Sequence, residues 1–183
     1  MRLFTGIDLS EEVKENLERL VTHLRPFAHL HWSAVYNLHI TLKFIGEWPE
    51  KRLDDLGPVL RGVKSRPAIP VAIRELGWFP NAQSPRVFWA GVEGGSQLTG
   101  LARQVEDSLA TLGIAKETRE YTPHLTLARI KQPAPLKNLQ DAIPALPSME
   151  FGSFTATRFY LYRSQPGPAG TIYTKLSEYP FAE

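Results

Sequence analysis

The chain has 183 residues, 43% of them hydrophobic, with 21 Lys and Arg against 19 Asp and Glu, a formal charge of +2 and no cysteine. That length suits one compact domain or two small lobes on a shared core, and the missing cysteines exclude disulfides, thiolate metal sites and cysteine nucleophiles. The mildly positive charge admits an anionic substrate without demanding one, no run of like charge marks a nucleic-acid tail, and no stretch reads as a signal peptide or a bilayer span, so the chain reads as cytoplasmic.

RLFTGIDL (2–9) opens the chain as a short apolar strand. Ser10 is placed to cap a helix, with Glu11 and Glu12 in its first turn. Val13, Leu17, Leu20, Val21 and Leu24 recur at helical spacing, and Pro26 should stop that helix near Arg25. LHITLKFIG (38–46) reads as a strand closed by Gly46. Leu53, Leu56, Leu60 and Val63 give residues 50–64 a helical pattern that Gly57-Pro58 should kink or break.

IPVAIRELGWF (69–79) and RVFWAGV (86–92) read as strands joined across PNAQSP. Gly94-Gly95-Ser96 is a turn; it lacks the Lys-Ser/Thr that would make it a phosphate loop. Leu98, Leu101, Ala102, Val105, Leu109 and Leu112 form a second amphipathic helix ending at Gly113. HLTLARI (124–130) is a further strand, residues 135–143 a short helix, and FTATRFYLYRSQ (154–165) and GTIYTKLSEY (170–179) a closing strand pair around PGPA. Strands mixed with a few helices, without tandem repeats, favour an α+β fold with helices outside antiparallel sheets.

Two of these strands carry the same text. His39-Ile-Thr41-Leu and His124-Leu-Thr126-Leu each place a histidine and a threonine two apart in an apolar run. Alternation puts His39, Thr41 and Lys43 on one face of the first strand, with Ile40, Leu42 and Phe44 on the helix-facing side. It puts His124 and Thr126 together on the second strand. Histidine and threonine then lie roughly 6.5–7 Å apart along one surface, within reach of one phosphate. A packing motif alone would more simply use Val or Leu, because buried polar pairs are costly unless bonded.

Two histidines suit displacement at phosphorus, in which one group takes a proton from the nucleophile and another gives one to the leaving oxygen. The threonine hydroxyls can donate to non-bridging oxygens. Arg129 can add positive charge, although alternation sets it opposite to His124, so it must turn at the strand end. Lys43 ranks next by its shared face, ahead of Arg25 and Arg119. Trp32 and Tyr121, near the motifs, are candidates to stack on bases, whereas Trp78, Phe88 and Trp89 read as core. His29 and His31 read as loop or cleft-rim residues, since no thiolate or nearby carboxylate completes a zinc site. His23 belongs to the first helix's surface.

At these residues the chain resembles the two-histidine phosphoesterases, and within them the bacterial and archaeal RNA 2′,3′-cyclic phosphodiesterases, historically called 2′-5′ RNA ligases. RLFTGIDLS, WSAVYNLHITLKFIGE, YTPHLTLARI and FYLYRSQPGPAGTIYTKL carry the resemblance over nearly the whole chain. It implies one bilobal, pseudo-symmetric α+β domain over 1–183, with two antiparallel sheets forming a central cleft and helices outside. It implies that His39 protonates the leaving oxygen and His124 activates water on an RNA end bearing a 2′,3′-cyclic phosphate, giving a 2′-phosphomonoester. No metal or other cofactor is implied, and no membrane or obligate protein partner, so the chain is expected to act as a monomer. Other substrates of the same site (2′-5′ linkages, cyclic nucleotide-sugar phosphates), the reverse ligation, and RNA binding without turnover stay open.

Overall fold

Ser10 separates the first strand from the first helix as its side chain suggests. In the computed structural model, which describes residues 1–63 and 67–181, its Oγ accepts a hydrogen bond from the Val13 amide at 3.2 Å. Strand β1 (Arg2–Asp8) precedes it and helix α1 (Glu11–Leu24) follows. The five apolar residues of the helical stripe are all buried. Pro26 sits in a 3₁₀ turn, Arg25–Phe27, that finishes the helix.

A two-residue strand β2 (His31–Trp32), too short to show periodicity, leads through a 3₁₀ turn to β3 (His39–Glu47). The pattern over 50–64 breaks as Gly57-Pro58 suggests. A 3₁₀ segment, Glu50–Asp55, passes into helix α2 (Leu56–Arg61), where Pro58 occupies the first turn and needs no intrahelical donor. Residue 64 of that expected stretch lies outside the described residues. Strands β4 (Ile69–Phe79) and β5 (Val87–Glu93), helix α3 (Gly95–Ala110), strand β6 (His124–Arg129) and helix α4 (Lys137–Ala142) follow.

Residues 154–165 are not one strand. β7 (Glu150–Ala156) and β8 (Arg158–Gly167) belong to different sheets, and Thr157 is the crossing point. The buried residues are Phe151 and Ala156 on β7, then Phe159, Leu161 and Tyr162 on β8. β9 (Gly170–Pro180) completes a hairpin with β8.

The strands form two wholly antiparallel sheets. One has the order β3-β1-β8-β9 and the other β2-β6-β5-β4-β7. α1 packs on β7 and α3 on β3, and one hydrophobic cluster joins the helices to the inner faces of both sheets. The expected α+β architecture with helices outside two antiparallel sheets is thus present. β3, an edge strand of the first sheet, approaches β6 of the second, which carries only β2 beyond it. The two His-x-Thr motifs therefore lie where the sheets meet. Among the described residues no helix is long and apolar enough to cross a membrane.

Replacing Ser10 with Ala removes the cap acceptor and should lower stability by about 1 kcal/mol, whereas Ser10→Gly should cost only a few tenths. Urea denaturation of the two variants checks this; equal losses would mean that the hydroxyl contributes nothing as a cap.

Candidate active site

The motif strands share one irregularity. Opposite β1, Thr41 pairs with Gly6 and Lys43 with Thr5, so Leu42 is an extra residue. Opposite β5, Thr126 pairs with Trp89 and Ala128 with Phe88, so Leu127 is an extra residue. Each is a β-bulge at the leucine after the threonine, and a bulge reverses the alternation beyond it. From the histidine onward both strands read half-buried, buried, half-buried, buried, buried, exposed.

This corrects the placement of two cations. Lys43 corresponds to Ala128 and points into the protein, with only 3% of the residue exposed. Its Nζ donates to Glu106 Oε1 and to the Ala115 carbonyl, both at 2.7 Å. The bulge thus takes it off the face of His39 and Thr41. Phe44, expected against the helices, is 56% exposed, its ring 5.9 Å from that of Phe4. Arg129 returns to the side of His124 by the bulge itself and needs no turn at the strand end.

Each histidine ring is held in the same way. His39 Nδ1 lies 2.8 Å from the Asn37 carbonyl and His124 Nδ1 lies 2.9 Å from the Thr122 carbonyl. A carbonyl only accepts, so Nδ1–H donates in both and each Nε2 is left for another partner. Asn37 is itself anchored by its Nδ2 to the Thr171 carbonyl of β9, at 2.9 Å.

The rings' surroundings differ. His39 stacks on Phe4 at 4.5 Å, with Tyr173 edge-on at 5.1 Å and Tyr162 at 5.8 Å. Burial in this nest pushes its pKa below the usual imidazole value, while the Asn37 carbonyl and the charge of Asp8, its cross-strand neighbour, oppose the shift. Burial alone would raise the Asp8 carboxyl, but hydrogen bonds and charges from Lys175 and Lys14 hold it below its ordinary value. Among the described residues His124 meets one aromatic ring, Phe79, edge-on at 5.1 Å. Phe79 in turn lies 5.3 Å from Trp89, whose ring covers Gly77 so closely that a Cβ there would come within 2.1 Å of it.

Trp32 and Tyr121 do not take the roles expected of them. Trp32 Nε1 donates to the Ala28 carbonyl and its ring packs edge-on against Phe88, on the core side. The Tyr121 hydroxyl donates to the Thr41 carbonyl at 2.7 Å. Phe4, Phe44, Phe79, Trp89, Tyr162 and Tyr173, none of them expected there from the sequence, are instead aromatic residues grouped with the two histidines. Phe4 and Trp89 lie two residues from Gly6 and Gly91, which pair with Thr41 and His124, a relation visible only in the strand register.

Two bulged strands thus each present a histidine and a threonine where the sheets meet, with both Nδ1 atoms fixed, and together they form the candidate site. The chain belongs to the LigT-like phosphoesterase family, which matches residues 7–89 and 92–173, one motif in each segment. It is 35% identical to an RNA 2′,3′-cyclic phosphodiesterase of Methanocaldococcus jannaschii, over 98% of this chain and 100% of that one. It is 34% identical to the enzyme of the same name in Thermotoga maritima, over 99% and 96%. Among solved structures it resembles TT0787 of Thermus thermophilus (TM-score 0.82, 32% identity, 99% and 98% covered) and E. coli LigT complexed with 3′-AMP (TM-score 0.79, 26% identity, 100% and 98% covered).

Lys43→Met should lower stability by about 2–3 kcal/mol, below the range for a fully buried pair because Glu106 retains some water. Burial pushes the Glu106 carboxyl up, but the Lys43 bond, the Glu117 amide and nearby cations bring it below its usual value. That stabilisation is therefore complete above the ordinary carboxylate pKa and is lost as pH falls through the depressed one. Urea titrations between pH 7 and pH 3 should show the acid-side loss flattened in the variant. Unchanged stability with a raised KM would instead put Lys43 on the substrate.

Proposed function

We propose that this chain hydrolyses RNA 2′,3′-cyclic phosphate ends to 2′-phosphomonoesters, with His124 as the base for water and His39 as the acid for the departing O3′. The observation that carries the reading is the matched Nδ1 anchoring. A neutral imidazole with its proton on Nδ1 has its lone pair on Nε2, as a base requires. A protonated one has an Nε2–H to give while Nδ1–H stays on its carbonyl.

In the reaction, water loses a proton to His124 Nε2 as its oxygen bonds to phosphorus. The bond from phosphorus to O3′ breaks on the opposite side, and O3′ takes the proton of His39 Nε2. The 3′-hydroxyl is restored, the phosphate remains on O2′, and proton exchange with solvent resets the pair. Thr41 and Thr126 hydroxyls donate to the non-bridging oxygens, where charge accumulates. Arg129 adds positive charge from the same side as His124. Names and ligands of the relatives support this reading: full-length RNA 2′,3′-cyclic phosphodiesterases, and E. coli LigT solved with 3′-AMP and with phosphate. The same reading has the enzyme act as a monomer in the cytoplasm on RNA ends.

His39→Ala and His124→Ala should each fold and lose turnover by roughly 10²–10⁴-fold. Phosphorus NMR should show a 2′-phosphate product; a 3′-phosphate would reverse the substrate's orientation. A leaving group that needs no proton should partly rescue only the His39 variant. Because the two imidazoles supply both proton transfers, activity should persist in excess chelator. Loss restored by one divalent ion would point to a metal mechanism.

The pH profile tests the roles from the cited shift. The acid must be protonated, so activity should fall as pH rises through the pKa of His39. For the free enzyme, read in kcat/KM, that alkaline limb should lie below the usual imidazole value, since burial disfavours the cation. A bound phosphate anion favours the imidazolium, so the same limb in kcat should lie at higher pH. Coincident limbs would remove His39 as the acid.

A further inference from the structure

The second sheet carries unpaired donors beyond the motif. The strand register sets their positions. Along β5, Gly91 lies opposite His124, Trp89 opposite Thr126 and Val87 opposite Arg129. Arg129 is in turn opposite His31 of β2. The steps are two residues each, so the rows of His124, Thr126 and Arg129 follow one another at roughly 6.5–7 Å along one face. That spacing is comparable to the separation of successive phosphates in an extended single strand.

Ring contacts fix which face this is. Phe79, opposite Val87, reaches His124 edge-on at 5.1 Å, so its row shares the side of His124. The adjoining row of Trp32, Ala128, Phe88 and Trp78 lies on the other side, where Phe88 is fully buried and packs at 4.5 Å on Trp78. His31 and Arg129 are therefore neighbours on the cleft side. Both are exposed, and among the described residues neither side chain has a hydrogen bond or ion pair. Lys43 and Lys175, cations of the other sheet, are by contrast held by Glu106 and Asp8.

We propose that His31 and Arg129 form a subsite for the phosphodiester immediately upstream of the terminal nucleotide, which makes oligonucleotide ends rather than free cyclic mononucleotides the preferred substrate class. The inference rests on the proposed hydrolysis of RNA ends. With the cyclic phosphate between the histidines and on Thr126, the next row along the sheet meets the next phosphate. A guanidinium fork matches two phosphate oxygens, and an imidazole N–H beside it supplies a further donor. His31 alone, an exposed histidine on a two-residue strand, would mean little; its register with Arg129 gives it a partner.

The test compares kcat/KM for a nucleoside 2′,3′-cyclic phosphate, the dinucleotide with the same 3′ end, and that dinucleotide with a neutral methylphosphonate linkage. The natural dinucleotide should be favoured over the mononucleotide by roughly 10–100-fold, the scale of charge-assisted hydrogen bonds. The methylphosphonate should forfeit that advantage. The dinucleotide-to-mononucleotide ratio should collapse in Arg129→Ala, shrink in His31→Ala and partly survive in Arg129→Lys. The ratio is the readout, so any effect of Arg129 on the reacting phosphate cancels. The dinucleotide's KM should also rise more steeply with salt, by a log–log slope of about 0.7 for one contact.

A ratio that survives both alanine variants, or a methylphosphonate that keeps the full advantage, overturns the subsite. Calorimetric binding of a dinucleotide and a mononucleotide ending in a 2′-phosphate separates this from failure of the underlying reading. If no cyclic phosphate is turned over but the dinucleotide binds more tightly through His31 and Arg129, the hydrolysis falls and the subsite stands. Without that binding preference the subsite falls too.

Discussion

One extra residue directly after each motif threonine decides which side chains reach the cleft. A regular strand would alternate from His39 through Thr41 to Lys43, and from His124 through Thr126 to Ala128. The bulges at Leu42 and Leu127 sink two consecutive side chains and bring the next one back to the cleft. On β3 the sunken pair is Leu42 and Lys43, and the returning residue is Phe44. On β6 the pair is Leu127 and Ala128, and the returning residue is Arg129. One device thus gives the first half-site an aromatic residue and the second a cation. The leucine that makes the two motifs look alike is itself the bulged residue.

The asymmetry extends to the histidines. Both have Nδ1 committed to a carbonyl two residues earlier, so both offer Nε2. His39 sits against Phe4, Tyr162 and Tyr173, whereas His124 has Phe79 edge-on. Burial opposes the cationic form of His39, and Asp8, kept ionised by Lys14 and Lys175, opposes that in turn. The proposed acid is thus the more enclosed group. A phosphate anion bound beside it would favour its protonated form against that burial.

Much of this was legible in the sequence. Helical spacing located α1 and α3, Gly57-Pro58 marked the break before α2, and the duplicated His-x-Thr marked the strands β3 and β6. The reading failed where it relied on unbroken alternation. A bulge has no signature in a Leu-Lys or Leu-Ala step, so Lys43 and Phe44 were assigned to each other's faces. The stretch 154–165 read as one strand because apolar residues continue across Thr157, although the chain changes sheets there. Tyr121 and Trp32 were read from proximity to the motifs, and proximity in sequence does not give direction. Both pack against the core cluster and donate to the Thr41 and Ala28 carbonyls.

The proposed in-line displacement requires the two Nε2 atoms to keep a fixed separation across the phosphorus, yet they belong to different sheets. The ties that hold the sheets in register here converge on the bulged part of β3. Tyr121, three residues before His124, donates to the Thr41 carbonyl, and Lys43 donates to the Ala115 carbonyl and to Glu106 of α3. The Glu106 carboxylate also accepts from the Glu117 amide, so the segment leading from α3 to the second motif is fastened at several points to the first motif's strand. A regular β3 would turn Lys43 into the cleft and leave Glu106 and the Ala115 carbonyl without it. The bulge that arranges the first half-site therefore also fastens the second one to it, and this explains why a lysine lies buried within four residues of the proposed acid.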